Sequence, residues 1–155
     1  MSVNLNIKLS KNPTTTAQQK GEAIGYTFKN GRMVPYIKHF ENEDVASLRN
    51  EYKYLILKSL KSQGLKIPRC EGPVVMQIIF RFAAKNKKLH GQPKVTKPDL
   101  DNIAKLLIDA IADLGIFKTG DQQITTLCLS KEWASEPSVD IQILGGENDI
   151  STAED

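Results

Sequence analysis

Val3, Leu5, Ile7 and Leu9 alternate with polar residues, the period-2 spacing of a strand over 3–9 with one buried face. Lys11 to Lys20 is polar, with one Pro and three Thr, and reads as a loop. Tyr26–Lys29 and Arg32–Pro35 flank Asn30-Gly31. Both of those residues tolerate positive φ, so the pair predicts a type I′ hairpin with Lys29 and Arg32 at its tip. From Glu43 the period changes. Val45, Leu48, Tyr52, Leu55 and Leu60 recur every three to five residues, an apolar stripe on a helix over 43–63. Asn42 suits its N-cap, Glu43 and Asp44 its first turn, Lys58 and Lys61 its last, and Gly64 its stop. Val74 to Phe80 is a strongly apolar strand. A basic loop follows over 83–97. A second helix at about 100–114 puts Ile103, Leu106, Leu107, Ala110, Ile111 and Leu114 on one face, and Gly115 ends it. Ile124–Ser130 and Val139–Leu144 are strands, and no internal repeat interrupts the series.

The order strand, hairpin, helix, strand, helix, strand, strand implies a single α+β domain, residues 1–144, with two main helices packed on a mixed β-sheet. Residues 145–155 are polar and acidic and are expected to be a disordered tail. A chain of 155 residues with 40% hydrophobic content suits one domain with a real core. It contains no apolar run of membrane-spanning length, and its first twelve residues lack the apolar segment of a signal peptide. A cytoplasmic location is therefore expected. Cys70 and Cys128 stand far apart with no partner at zinc spacing, as two reduced thiols would.

The net charge of +3 hides an asymmetry. Residues 132–155 hold seven acids and no Lys or Arg, which leaves residues 1–131 at +10. That excess suits a polyanionic partner, although ordinary solubility would also account for it.

The chemistry concentrates in Lys97-Pro98-Asp99-Leu100-Asp101-Asn102-Ile103-Ala104-Lys105. Pro98 holds Lys97 extended, so the helix starts after it and both carboxylates fall at its first turn. At about 5 Å and an effective dielectric of about 20 their repulsion is roughly 3 kcal/mol. A helix N-terminus offsets part of that, and a divalent cation offsets more. Hard oxygen ligands suit Mg²⁺ or Mn²⁺. Lys105 lies one turn beyond Asp101 on the same face, either as a surface ion pair or as a cation placed to meet phosphate charge. Asp121 follows Gly120 in a turn that can return its carboxylate toward the helix. Taken singly, each Asp also suits a cap or a turn. Asp109 sits four residues after Lys105, on a solvated face or as a group orienting the lysine.

These residues carry a resemblance. The segment from Lys97 to Lys105, then Leu107-Ile-Asp109-Ala-Ile111, Leu114-Gly-Ile-Phe117, Gly120-Asp121-Gln-Gln-Ile124 and Lys131-Glu-Trp133, resembles the RusA family of Holliday-junction resolvases. The match spans about 97–133. It implies a small homodimeric, Mg²⁺-dependent endonuclease, common in phages and prophages, that resolves four-way DNA junctions by paired nicks. By position, Asp99, Asp101 and Asp121 match the family's metal-binding aspartates and Lys105 its essential lysine. The family often has two acids where this chain has Gly120-Asp121, a departure that bears on metal affinity. Lys85, Lys87, Lys88, Lys94 and Lys97 lead directly into the acidic motif and are expected to contact DNA phosphates. A junction-binding protein without turnover, and a metal nuclease for another branched substrate, are the alternatives. Trp133 is expected to pack at a strand end.

Overall fold

The computed structural model describes residues 1–16 and 20–145. The acidic tail beyond Gly145 lies outside them. The described elements are β1 (Ser2–Lys8), β2 (Lys20–Lys29), β3 (Arg32–Glu41), α1 (Glu43–Ser62), β4 (Val74–Ala83), α2 (Leu100–Asp113), β5 (Ile124–Ala134) and β6 (Ser138–Gly145). Short 3₁₀ turns occupy Lys87–Leu89 and Asp121–Gln123. This is the expected α+β arrangement of two helices on a mixed sheet.

The four-stranded sheet has the order β1-β6-β4-β5. β6 runs antiparallel to both neighbours, and β4 and β5 run parallel. Two parallel neighbours need a crossover, and α2 supplies it. The helix therefore runs back against both strands, with its N-terminus at their C-terminal ends. The alternation read in β1 holds: Val3, Leu5 and Ile7 are buried, and their neighbours are not. In β4 the apolar run resolves into Val74, Met76, Ile78, Phe80 and Phe82 on the inner face. The outer face of the sheet is polar where Arg81 bridges Glu132 at 2.8 Å and Asp140 at 2.5 Å. Burial opposes the Arg81 charge, but these two carboxylates outweigh it and hold the guanidinium firmly protonated.

Both helices cover the inner face. α1 packs on β1 and on α2, and α2 packs on β5. Ile103, Leu106, Leu107, Ala110 and Ile111 of α2 are fully buried, each Leu or Ile contributing about 1.5–3 kcal/mol relative to exposure. The cap of α1 forms as its sequence predicts, with Asn42 accepting from the Asp44 amide at 2.9 Å. One stripe position shifts. Ile56, four residues after Tyr52, is fully buried, and Leu55 stays at the margin.

The hairpin also forms. Asn30 and Gly31 adopt φ of 52° and 71°, and Lys29 pairs with Arg32 across the turn. Its strands are ten residues each, longer than the sequence pattern suggests, and they form a separate two-stranded sheet. Lengthening arises because the alternation continues through Ile24 on one strand and Ile37 on the other, which the register pairs.

Candidate active site

Asp99 is the N-cap of α2 by its extended backbone, and its carbonyl accepts from the Ile103 amide at 3.2 Å. Its side chain makes no capping bond. Instead its carboxylate accepts from Lys97 Nζ at 2.7 Å. That hydrogen bond and charge hold the Asp99 carboxyl below the usual carboxylate range, and the Lys131 charge acts in the same sense. Asp101 is exposed in the first turn. One turn on, Lys105 Nζ stands 3.4 Å from Asp109 Oδ1. Asp109 thus meets the lysine rather than simply extending a solvated face.

Asp101, Ala104, Lys105 and Ile108 form one wall of an open cleft of about 260 Å³, and Asp121, Leu127 and Leu129 complete its lining. The fold therefore brings Asp101, Lys105 and Asp121 to one surface, between the helix and the free edge of β5. Along α2 the lining from Asp101 to Ile108 covers two turns, about 10 Å.

The placement of Asp121 depends on two residues beside it. Gly120 adopts φ 111°, a conformation that other residues rarely take, and a Cβ there would meet Gln122 Oε1 at 2.4 Å. The Gly120 that departs from the family pattern is thus the residue this turn requires. Gln123 is buried, and its amide donates to the carbonyls of Cys70 at 3.0 Å and Gly72 at 2.9 Å. Its oxygen accepts from the Thr119 amide at 2.7 Å. Three bonds to one side chain pin the turn that carries Asp121.

The segment before Asp99 is clamped in a similar way, and here one expectation is corrected. Lys94 does not face solvent. It is 6% exposed, and its ammonium lies 4.4 Å from the Trp133 ring centroid and 5.2 Å from that of Phe82. It donates to the Lys97 carbonyl at 2.5 Å and to both oxygens of Thr96. Burial, helped by the Lys131 charge, lowers its pKa. Its backbone amide bonds the Lys131 carbonyl at 3.0 Å, which ties the loop to β5. Trp133 packs edge-on against Phe82 with 6.5 Å between centroids, as expected of a strand end.

Lys131, which stands in the motif that carries the resemblance, is given no role by the sequence reading. Its ammonium donates to the carbonyls of Thr96 and Pro98, each at 2.6 Å. A signal was present, since Lys131 continues the alternation of Leu127 and Leu129 and falls on the helix-facing side of β5. The Lys97–Pro98 peptide that these bonds hold is cis. Lys85, Lys87, Lys88 and Lys97 are exposed, as phosphate-contacting cations must be.

Among the described residues no three His, Cys, Asp or Glu side chains stand close enough to hold a metal ion as a closed set. The donor chemistry nevertheless fits a hard cation. Mg²⁺ typically binds one or two carboxylates and completes its shell with water and substrate phosphate. Asp101 and Asp121 present such oxygens to an open cleft, and Asp99 lies two residues from Asp101 with its carboxylate free of the capping role.

A family model described as Endodeoxyribonuclease RusA matches residues 12–144. A comparison with curated proteins finds no match.

Proposed function

Since the chain belongs to the RusA endodeoxyribonuclease family, we propose that it is a cytoplasmic, Mg²⁺-dependent nuclease that resolves four-way DNA junctions by paired nicks. The family places the chain among DNA endonucleases of Holliday junctions. The observation that carries the finer reading is the cleft where Asp101, Lys105 and Asp121 meet. A carboxylate pair able to hold a hard cation, with an ammonium beside it, suits metal-assisted phosphodiester hydrolysis. When bound, Mg²⁺ or Mn²⁺ polarises a non-bridging phosphate oxygen and lowers the pKa of a bound water. Asp101 and Asp121 would hold it at the cleft, and Asp99, the third aspartate the resemblance implies, lies two residues before Asp101 with its carboxylate bonded to Lys97.

The protein's own groups do the rest. Lys105 neutralises charge that develops on the phosphate oxygens as water adds in line with the leaving 3′ oxygen. Asp109 restrains that ammonium to one side of the helix. Lys94 and Lys131 fix the backbone from Thr96 to Pro98, so the carboxylates emerge at a set position. Two like nicks call for two like sites, and a two-fold homodimer supplies them on a substrate of similar symmetry.

The test is incubation of the purified chain with an end-labelled four-way junction. Paired, symmetric nicks are expected with Mg²⁺, and none with EDTA. Uncut junction at saturating Mg²⁺ and Mn²⁺ would leave a binding protein without turnover.

The exposed turn Lys87–Leu89 supplies a second expected result. Replacing Lys85, Lys87 and Lys88 together by Gln should weaken junction binding and flatten its salt dependence. The log–log slope should fall by up to about 0.9 for each phosphate the variant no longer neutralises. Binding measured across a salt series decides this, and an unchanged slope removes the turn from the DNA surface.

A further inference from the structure

The loop between β4 and α2 holds one apolar side chain far out in solvent. Val95 is 90% exposed, whereas no other large apolar side chain among the described residues exceeds 73%. A valine exposed on a loose tip would need no explanation. This one stands on a fixed base. The backbone before it is laced to β5. The Gly91 and Lys94 amides donate to the carbonyls of Trp133 and Lys131, at 2.8 and 3.0 Å, and the Trp133 amide donates to the Gln92 carbonyl at 2.9 Å. The three carbonyls after it, those of Thr96, Lys97 and Pro98, accept from the ammonium groups of Lys94 and Lys131. Lys94 is buried and Val95 is not, so the chain turns one side chain inward and the next outward. A β-branched side chain adds stiffness of its own at χ1.

We propose that Val95 is a wedge that enters the base stack of the junction beside the cut, parting two bases while the cleft holds the scissile phosphate. The inference rests on the junction-nuclease reading of that cleft. Asp99 lies four residues after Val95, a reach of at most about 14 Å. The bases it meets therefore lie within about four nucleotides of a phosphate held at the carboxylates, at about 3.4 Å per nucleotide of a strand. Lys85, Lys87, Lys88 and Lys97 are exposed on the same loop, and their charge favours a polyanion over an apolar protein surface. In DNA the apolar surface that lies beside phosphates is the stack of bases, and aliphatic wedges enter it between neighbouring steps. Unstacking costs least where the stack is already interrupted, as it is where four strands exchange.

The fluorescence of 2-aminopurine, which rises when the base loses its stacking neighbours, tests this. The probe is placed in turn at each of about four nucleotides on either side of the exchange point. The full chain carrying Asp101→Asn binds the junction, which then stays uncut. Binding is expected to raise the signal about twofold or more at one or more positions. Adding Val95→Ala should abolish the rise, and adding Val95→Ile should keep it. On the otherwise wild-type chain, Val95→Ala should slow cleavage of bound junction by roughly tenfold, because the phosphate is less well placed. Its melting temperature and salt slope should match the wild type, since the side chain lies outside the core and carries no charge. A rise that survives Val95→Ala, or no rise at any position on a bound junction, would overturn the wedge and leave the nuclease reading standing. Affinity lost by Val95→Ala with the fluorescence unaltered would overturn it in favour of a groove contact. A chain that binds no four-way junction would overturn both.

Discussion

Asp101→Asn is expected to lower the rate of junction cleavage by roughly three orders of magnitude, about 4 kcal/mol of transition-state stabilisation. The substitution keeps size and hydrogen-bonding capacity and removes one negative charge. Asp101 is exposed in the first turn of α2, where the isosteric amide fits the same space. Stability should therefore be unchanged. Binding should be unchanged or tighter, because a carboxylate facing phosphate opposes association and the amide does not. The expected signature is thus a collapse in kcat with retained affinity. Asp121→Asn should behave alike, since both carboxylates line the one cleft. Lys105→Ala should cost at least tenfold in kcat by the same logic. Single-turnover cleavage beside a gel-shift titration reads both quantities. Wild-type cleavage by Asp101→Asn would falsify the assignment of the cleft.

The sequence made the elements legible because period is a local property. Val3 to Leu9, the Asn30-Gly31 turn and the α2 stripe each announce themselves within a few residues, and each forms. The strand order was not legible. Nothing local to β4 states that it pairs with β6 on one side and, in parallel, with β5 on the other. The acidic motif stood out for the same local reason, and the cleft did not, because its far wall comes from β5. Lys94 marks the limit most sharply. In a run of lysines it reads as one more solvated cation. It is distinguished by Phe82 and Trp133, twelve and thirty-nine positions away, whose rings form the slot that receives it.

Lys94→Met is expected to lower the melting temperature by about 5 °C, corresponding to about 2 kcal/mol in a chain of this size. Met fills the slot between Phe82 and Trp133 with a stem of similar length, so the apolar packing survives. What disappears is the ammonium. The Lys97 carbonyl loses its 2.5 Å donor and the Thr96 hydroxyl loses its partner, while the Thr96 carbonyl keeps Lys131. Two opposing terms set the size of the effect. Removing a cation that burial disfavours is a gain, and leaving polar groups without partners is a cost of about 1–3 kcal/mol. Removal of the cation–π attraction adds to the cost and decides the sign. The functional consequence follows from position. Lys94 and Lys131 together hold residues 96–98, and Asp99 is the next residue. Loosening that segment should reduce kcat at least tenfold through misplaced carboxylates, as small displacements at a reacting centre do. The salt dependence of junction binding should stay as in the wild type, because the ammonium never reaches a phosphate. Substitution of the exposed Lys87 should give the opposite pair of results, with a flatter salt slope and an unchanged melting temperature. Thermal melts and salt-series binding on Lys94→Met and Lys87→Met separate the two roles. A Lys94 variant that melts normally and flattens the slope would return this residue to the DNA-facing surface.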